Sequence, residues 1–291
     1  MHGIERRVLK HPSGRKITYE TLGERTGTPV LYFHGWGSIA SSIFCDEKFL
    51  QQNRLYILMV NRPGYGGSDL IKDYSMEDHA DDVKAVMDHL DIDQAHGIAW
   101  SNGGLFSQVF AYRYPQSLSS LSLAASAVPL QNKVSSKVLP FRWKLISKLY
   151  KMGPFFLRGL LKHINRRWTG SIGRKLSELH DKERHSGNQN DLKEQLKKQT
   201  SEGLLEAYRT KGWVHFAELQ AMMNPFRLPE WKSPFPVYLW YASKDHLWPE
   251  KTTLYLQRKY HDSRVLEVKG EGHFFFLISW KQILVEALSL E

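Results

Sequence analysis

The stretch His96-Gly97-Ile98-Ala99-Trp100-Ser101-Asn102-Gly103-Gly104 decides the fold. A short apolar run ends abruptly in a serine, and two glycines open a segment rich in small residues, so the chain reads as strand, sharp turn and helix. Such a turn strains the serine and brings neighbouring backbone close. The positions two before and two after it must be small, and Ala99 and Gly103 meet that need. A small-x-Ser-x-small pentapeptide arises by chance in roughly one chain in five of this length. Its weight therefore comes from position, between a strand of the right kind and the mouth of a helix.

Outward from this turn, β-rich runs at 30–33, 55–60, 96–100, 118–125, 237–241 and 264–268 alternate with helical patterns. That alternation implies βαβ crossovers and an α/β fold with a mostly parallel sheet. Ahead of it, 4–10 and 15–22 read as an antiparallel pair joined around Pro12, Ser13 and Gly14. Ser75 with Asp78 three residues on reads as the capped start of one helix, and Pro249 suits the first turn of another.

One gap is too long for a simple crossover. Between 130 and 230 the pattern turns helical, basic and aromatic, and is read as a helical cap inserted between two strands; 1–129 and 231–291 form the core domain. Phe141, Leu145, Leu149 and Met152 keep helical spacing, as do Phe156, Leu160, Ile164 and Trp168. The expectation is that these apolar faces pack over the site while the lysines face water. The other reading, a cationic amphipathic surface lying on an anionic bilayer, is the less favoured.

The 291 residues, 42% of them hydrophobic, suffice to bury one α/β core. The formal net charge of +10 is local: residues 130–212 hold 19 Lys/Arg and 7 Asp/Glu, and the remainder is slightly acidic. No nucleic-acid motif accompanies that charge, so no nucleic acid is expected. With Cys45 as the single cysteine, neither an intrachain disulfide nor a cysteine metal cluster can form. The opening MHGIERRVLK lacks the apolar core of a secretory signal, and a soluble cytoplasmic protein is expected.

The strand ending at Phe33 runs into His34-Gly35-Trp36-Gly37, and the next strand end carries Asn61-Arg62-Pro63-Gly64-Tyr65-Gly66-Gly67-Ser68-Asp69. Together with the Ser101 turn, Asp245 after 237–241, and Gly270-Glu271-Gly272-His273 after the last strand, this order resembles the α/β-hydrolase superfamily across nearly the whole chain outside the cap. The resemblance implies an eight-stranded, mostly parallel sheet flanked by helices. It also implies Ser101 as nucleophile, His273 as its base and Asp245 orienting that base. The backbone NH groups of Trp36 and Asn102 would hold the oxyanion. His34 is then an organiser of the oxyanion loop and not a base, and the glycines of the 61–69 loop are read as structural. The strand at 118–125 ends without a carboxylate, which leaves Asp245 as the acid.

These roles describe acyl transfer without cofactor or metal: a serine hydrolase, chiefly a carboxylic-ester hydrolase, acting on a small to medium apolar ester-like molecule. Serine at 101 argues against the relatives that use a carboxylate nucleophile. Thioesters, lactones, lysophospholipids, carbon–carbon cleavage, perhydrolysis, and a ligand-sensing or partner-binding protein of slow turnover stand as alternatives. Glu77, Asp78, His79, Asp81 and Asp82 read as an acidic first helical turn, not a metal site. His180 and His185 are five apart and do not share a helix face as an i, i+4 zinc pair does. Oligomeric state is not legible.

Overall fold

A computed structural model describes residues 4–37, 46–168, 209–224 and 231–289, the side chains of 164–168 excepted. Cys45, His180 and His185, and residues 169–208 and 225–230 of the expected cap, lie outside the described residues, as do the Ile164 and Trp168 side chains. The strands are β1 (Glu5–Lys10), β2 (Lys16–Gly23), β3 (Thr28–Phe33), β4 (Leu55–Val60), β5 (Ala95–Trp100), β6 (Leu118–Ala124), β7 (Val237–Ala242) and β8 (Arg264–Val268). They form one eight-stranded sheet in the order β1-β2-β4-β3-β5-β6-β7-β8. The pairings β1–β2 and β2–β4 are antiparallel and the rest parallel.

The reason lies in the strand sequences. Leu55-Tyr56-Ile57-Leu58-Met59-Val60 is buried along its whole length, as a central strand covered on both faces must be. By contrast β1, with Glu5, Arg6, Arg7 and Lys10, is largely exposed, and its charges guard an open sheet edge.

Helices cover both faces: α1 (Glu47–Gln52), α2 (Met76–His89), α3 (Gly103–Arg113), α4 (Phe141–Met152), α5 (Pro154–Trp168), α6 (Trp213–Met223), α7 (Glu250–Gln257) and α8 (Phe276–Leu288). One core joins the sheet to Val83, Val86 and Met87 of α2 and to Phe106, Val109 and Phe110 of α3. The opposite core is built on Leu50 of α1 and Phe276, Trp280, Ile283 and Leu284 of α8. Ser75 caps α2 in a reciprocal capping box with Asp78. Asp81 pairs with Arg113 and Asp82 with Arg15, so these carboxylates are engaged in structural contacts. Pro249 is the N-cap of α7, one place outside the expected first turn.

Between β6 and β7 the described helices are α4, α5 and α6. The face on which α4 packs is not the one expected. Phe141, Leu145 and Met152 are exposed, as are Phe156 and Leu160 of α5; among the described side chains of the expected stripes, only Leu149 packs partly against the core. The buried face carries Trp143 and Ser147, flanked by Ile146 and Tyr150, and Leu157 with Leu161 does the same for α5. The physical reason is that α4 is apolar on two arcs, and spacing alone does not say which arc meets the core.

The parallel part of the sheet changes direction at β3, whose neighbours are β4 and β5. Crevices at such switch points, at the carboxyl ends of the strands, are where α/β sheets hold ligands. The residues after β3 and β5 meet there, and Gly103 shows how closely: a Cβ on it would lie 2.1 Å from the Phe33 carbonyl oxygen. Gly103→Ala should therefore cost about 2 kcal/mol or more, whereas Gly159→Ala, with nothing within 4 Å of its added carbon, should stabilise α5 by about 0.5–1 kcal/mol. Denaturant titrations of the two variants check the contrast.

Candidate active site

Ser101 sits immediately after β5 with φ +56°, in the left-handed region that costs an L-residue roughly 1–2 kcal/mol. Three backbone bonds hold it there: its NH donates to the Ala124 carbonyl at 3.0 Å, and its carbonyl accepts from Ala127 at 2.9 Å and Gly104 at 3.0 Å. The end of β6 thus clamps the turn. Gly104 is needed for the same reason as Gly103, since a Cβ there would meet Ser126 Oγ at 2.1 Å.

Two hydrogen bonds connect this serine to residues far along the chain. Ser101 Oγ lies 3.0 Å from His273 Nε2, and His273 Nδ1 lies 2.9 Å from Asp245 Oδ2. The other carboxylate oxygen, Oδ1, accepts the Leu247 NH at 2.7 Å and the Trp248 NH at 3.0 Å. Burial pushes the Asp245 carboxyl up, but His273 and these two NH groups outweigh it and leave it below the usual carboxylate range. With Asp245 Oδ2 accepting from Nδ1–H, the Nε2 lone pair faces the hydroxyl. The histidine loop is fixed from both sides: the Lys244 NH donates to the Glu271 carbonyl at 2.9 Å, and Trp100 Nε1 donates to the His273 carbonyl at 3.1 Å.

Trp36 follows β3, and its ring meets Trp143 of α4 at 5.8 Å and His215 of α6 at 6.1 Å between centroids. Asn102 is the N-cap of α3; its side-chain Nδ2 reaches Met222 Sδ of α6 at 3.1 Å and also engages Glu218. All five expected site residues, Ser101, His273, Asp245, Trp36 and Asn102, thus stand at the carboxyl ends of β3, β5, β7 and β8. His34 is buried beneath the loop, its Nδ1 3.0 Å from Arg62 Nη2.

What the sequence reading missed is the floor of the site. Arg62 is fully buried and donates to the carbonyls of His34 at 2.8 Å and Gly35 at 2.7 Å. Glu218 of α6, also fully buried, lies 2.9 Å from Arg62 Nη2. It accepts the Tyr65 hydroxyl at 2.6 Å and the Gly37 NH. Arg62 and Glu218 therefore grip the 34–37 loop by its carbonyls and its NH together. The available signal was a lone carboxylate in the mostly apolar helix Trp213–Met223.

The buried charge of Arg62 is felt around it. Burial first, and Arg62 second, push His34, His79 and His215 down, His215 to about 4. Such imidazoles stay neutral in the folded state while the unfolded chain takes up protons below about 6.5. Acid therefore favours unfolding, and each residue withdraws about 1.4 kcal/mol of stability per pH unit once the unfolded chain is protonated.

The chain matches the model of the alpha/beta hydrolase fold family over residues 28–279, and it belongs to that family. Among curated proteins it is 34% identical over 115 residues to the dihydrolipoyllysine-residue acetyltransferase component of an acetoin cleaving system of Pseudomonas putida, covering 39% of this chain and 31% of that protein. It is 32% identical over 108 residues to a pimeloyl-[acyl-carrier protein] methyl ester esterase of Chromobacterium violaceum, covering 37% of this chain and 40% of that one. The matches thus span between about a third and two fifths of the length of these two relatives. A thermophilic esterase from Thermogutta terrifontis superposes with a TM-score of 0.69 at 17% identity, covering 98% of both chains.

Two expectations follow. Glu218→Ala strands a buried guanidinium and should lose about 3–5 kcal/mol in urea titrations, and Arg62→Met with Glu218→Leu should not restore it, because the His34 and Gly35 carbonyls, the Tyr65 hydroxyl and the Gly37 NH then lose their partners. Wild-type stability should fall steadily as pH drops from about 6.5 towards 4, with His79→Gln removing about one proton's share of the slope.

Proposed function

We propose that the protein is a serine hydrolase, chiefly a carboxylic-ester hydrolase, working through an acyl-enzyme on Ser101. The observation that carries this reading is the unbroken chain Ser101 Oγ, His273 Nε2, His273 Nδ1, Asp245 Oδ2, with links of 3.0 and 2.9 Å. A serine hydroxyl is a weak nucleophile until a neighbouring base takes its proton, and that base needs a fixed tautomer. Support from kinship lies in the family itself and in an esterase among the partly matching relatives.

In this reading Ser101 Oγ attacks the substrate carbonyl carbon while His273 Nε2 receives the hydroxyl proton. Charge collects on the carbonyl oxygen, where the NH groups of Trp36 and Asn102 stabilise it. His273 returns the proton to the departing alcohol, and the acyl group remains on Ser101. Water, deprotonated by the same imidazole, then releases the acid. Asp245, held ionised by its three donors, stabilises the imidazolium at each step.

Residues 130–230 act as a cap, and its described part supplies an aromatic wall. Trp143 stacks on Trp248 at 4.7 Å and faces Trp36, which suits a small to medium apolar acyl group.

A fluorophosphonate probe should label the wild type and fail to label Ser101→Ala. Asp245→Asn should lower kcat by about 10⁴ through the wrong histidine tautomer. Turnover of a chain-length series of p-nitrophenyl esters, beside matching thioesters, ranks the acyl preference. A wild type that takes up no probe and turns over no ester would overturn the reading in favour of a ligand-sensing protein.

A further inference from the structure

We propose that the outer face of the α4–α5 hairpin is a docking surface for an anionic phospholipid bilayer. Among the described residues no helix is long and apolar enough to cross a membrane, so the contact is made from one side.

The first observation is exposure. Phe141, Met152, Phe155 and Phe156 are each 74–76% exposed, with Leu145 and Leu160 beside them. Large apolar side chains scattered singly on a surface need no explanation, but a contiguous set does. On α4, Phe141, Leu145 and Met152 fall within about 40° of one another around the helix axis. The helix presents Trp143 and Ser147 to the core on the opposite side. Met152, Phe155 and Phe156 then crowd the turn into α5 around Gly153 and Pro154. The helix is therefore apolar on two opposed arcs, one satisfied by the protein and one not.

Charge identifies the occupant. Beside the exposed arc run Lys144, Lys148 and Lys151, and Arg142 flanks its other side. The same three lysines, with Lys133 and Lys137, line a cleft of about 580 Å³ that has no acidic residue in its wall. The segment 133–175 contains no acidic residue at all. A protein interface of this apolar content would be expected to deplete its lysines. An apolar stripe bordered by cations on long stems is instead the pattern of a helix lying in a bilayer interface. Its rings enter the acyl boundary there, and its ammonium groups reach lipid phosphates. The cleft lysines are placed to take headgroup phosphates next to the immersed rings.

Co-sedimentation with vesicles of phosphatidylglycerol and phosphatidylcholine in equal parts tests this. The wild type should pellet with these vesicles, bind pure phosphatidylcholine weakly, and be released as salt rises from 0.1 to 1 M, where the Debye length contracts from about 10 to about 3 Å. Phe155→Ser with Phe156→Ser should lower partitioning at least about tenfold. Lys144→Glu with Lys148→Glu should lower it about fivefold or more for each lysine. All four side chains are exposed, so the unfolding midpoint should hold; a variant that fails to fold is replaced by Phe141→Ser or Lys151→Gln. A wild type indifferent to anionic vesicles would overturn the proposal. So would vesicle binding that survives both double variants, or light scattering that shows a dimer abolished by them, since the face would then serve a second copy. The readout is independent of Ser101, so Ser101→Ala should bind vesicles as the wild type does.

Discussion

A guanidinium and a carboxylate, both stripped of water, meet at the switch point of the sheet. Dehydrating each ion costs several kcal/mol, and close contact with several hydrogen bonds to each ion offsets that. Arg62 meets the requirement with two backbone carbonyls, a neutral imidazole and the rings of Phe106 and Tyr65. Glu218 meets it with the Tyr65 hydroxyl, the Asn102 side chain and the Gly37 NH. A lysine could not replace the arginine, because a compact ammonium lacks the planar fork that spans two carbonyls and a carboxylate. The pair ties the 61–69 loop, the 34–37 loop and α6 into one body.

On that base the remaining geometry is a matter of strand ends. Four strands deliver four loops; the serine and histidine loops are pinned by neighbouring elements, and the Asp245 loop folds back on its own carboxylate. The end of β6 holds Ser101 in its strained conformation, Trp100 holds the His273 backbone, and two backbone NH groups hold Asp245. Strain of this kind persists only where the surroundings over-determine it, and here a displaced serine would break three backbone bonds at once.

The architecture was legible because local patterns dictate it. Continuous β-branched and aromatic runs, small residues flanking Ser101 and a single carboxylate after β7 are local signals that survive in a one-dimensional reading. The Arg62–Glu218 pair was not legible, since 155 intervening residues separate its members and neither belongs to a motif that names the other. The orientation of α4 escaped for a different reason. Periodicity finds an apolar arc, but Trp143, Ile146 and Tyr150 form one arc and Phe141, Leu145 and Met152 another, and only the three-dimensional neighbours decide between them.

The docking of Trp143 carries a mechanical corollary. Its indole NH donates to the Leu247 carbonyl at 3.2 Å, and the NH of that same residue holds Asp245 Oδ1 at 2.7 Å. The position of α4 and the placement of the Asp245 carboxylate are thus linked through the backbone of Leu247 and Trp248. Substitution of Trp143 would therefore be felt at Asp245, although the two residues sit 102 positions apart in the chain.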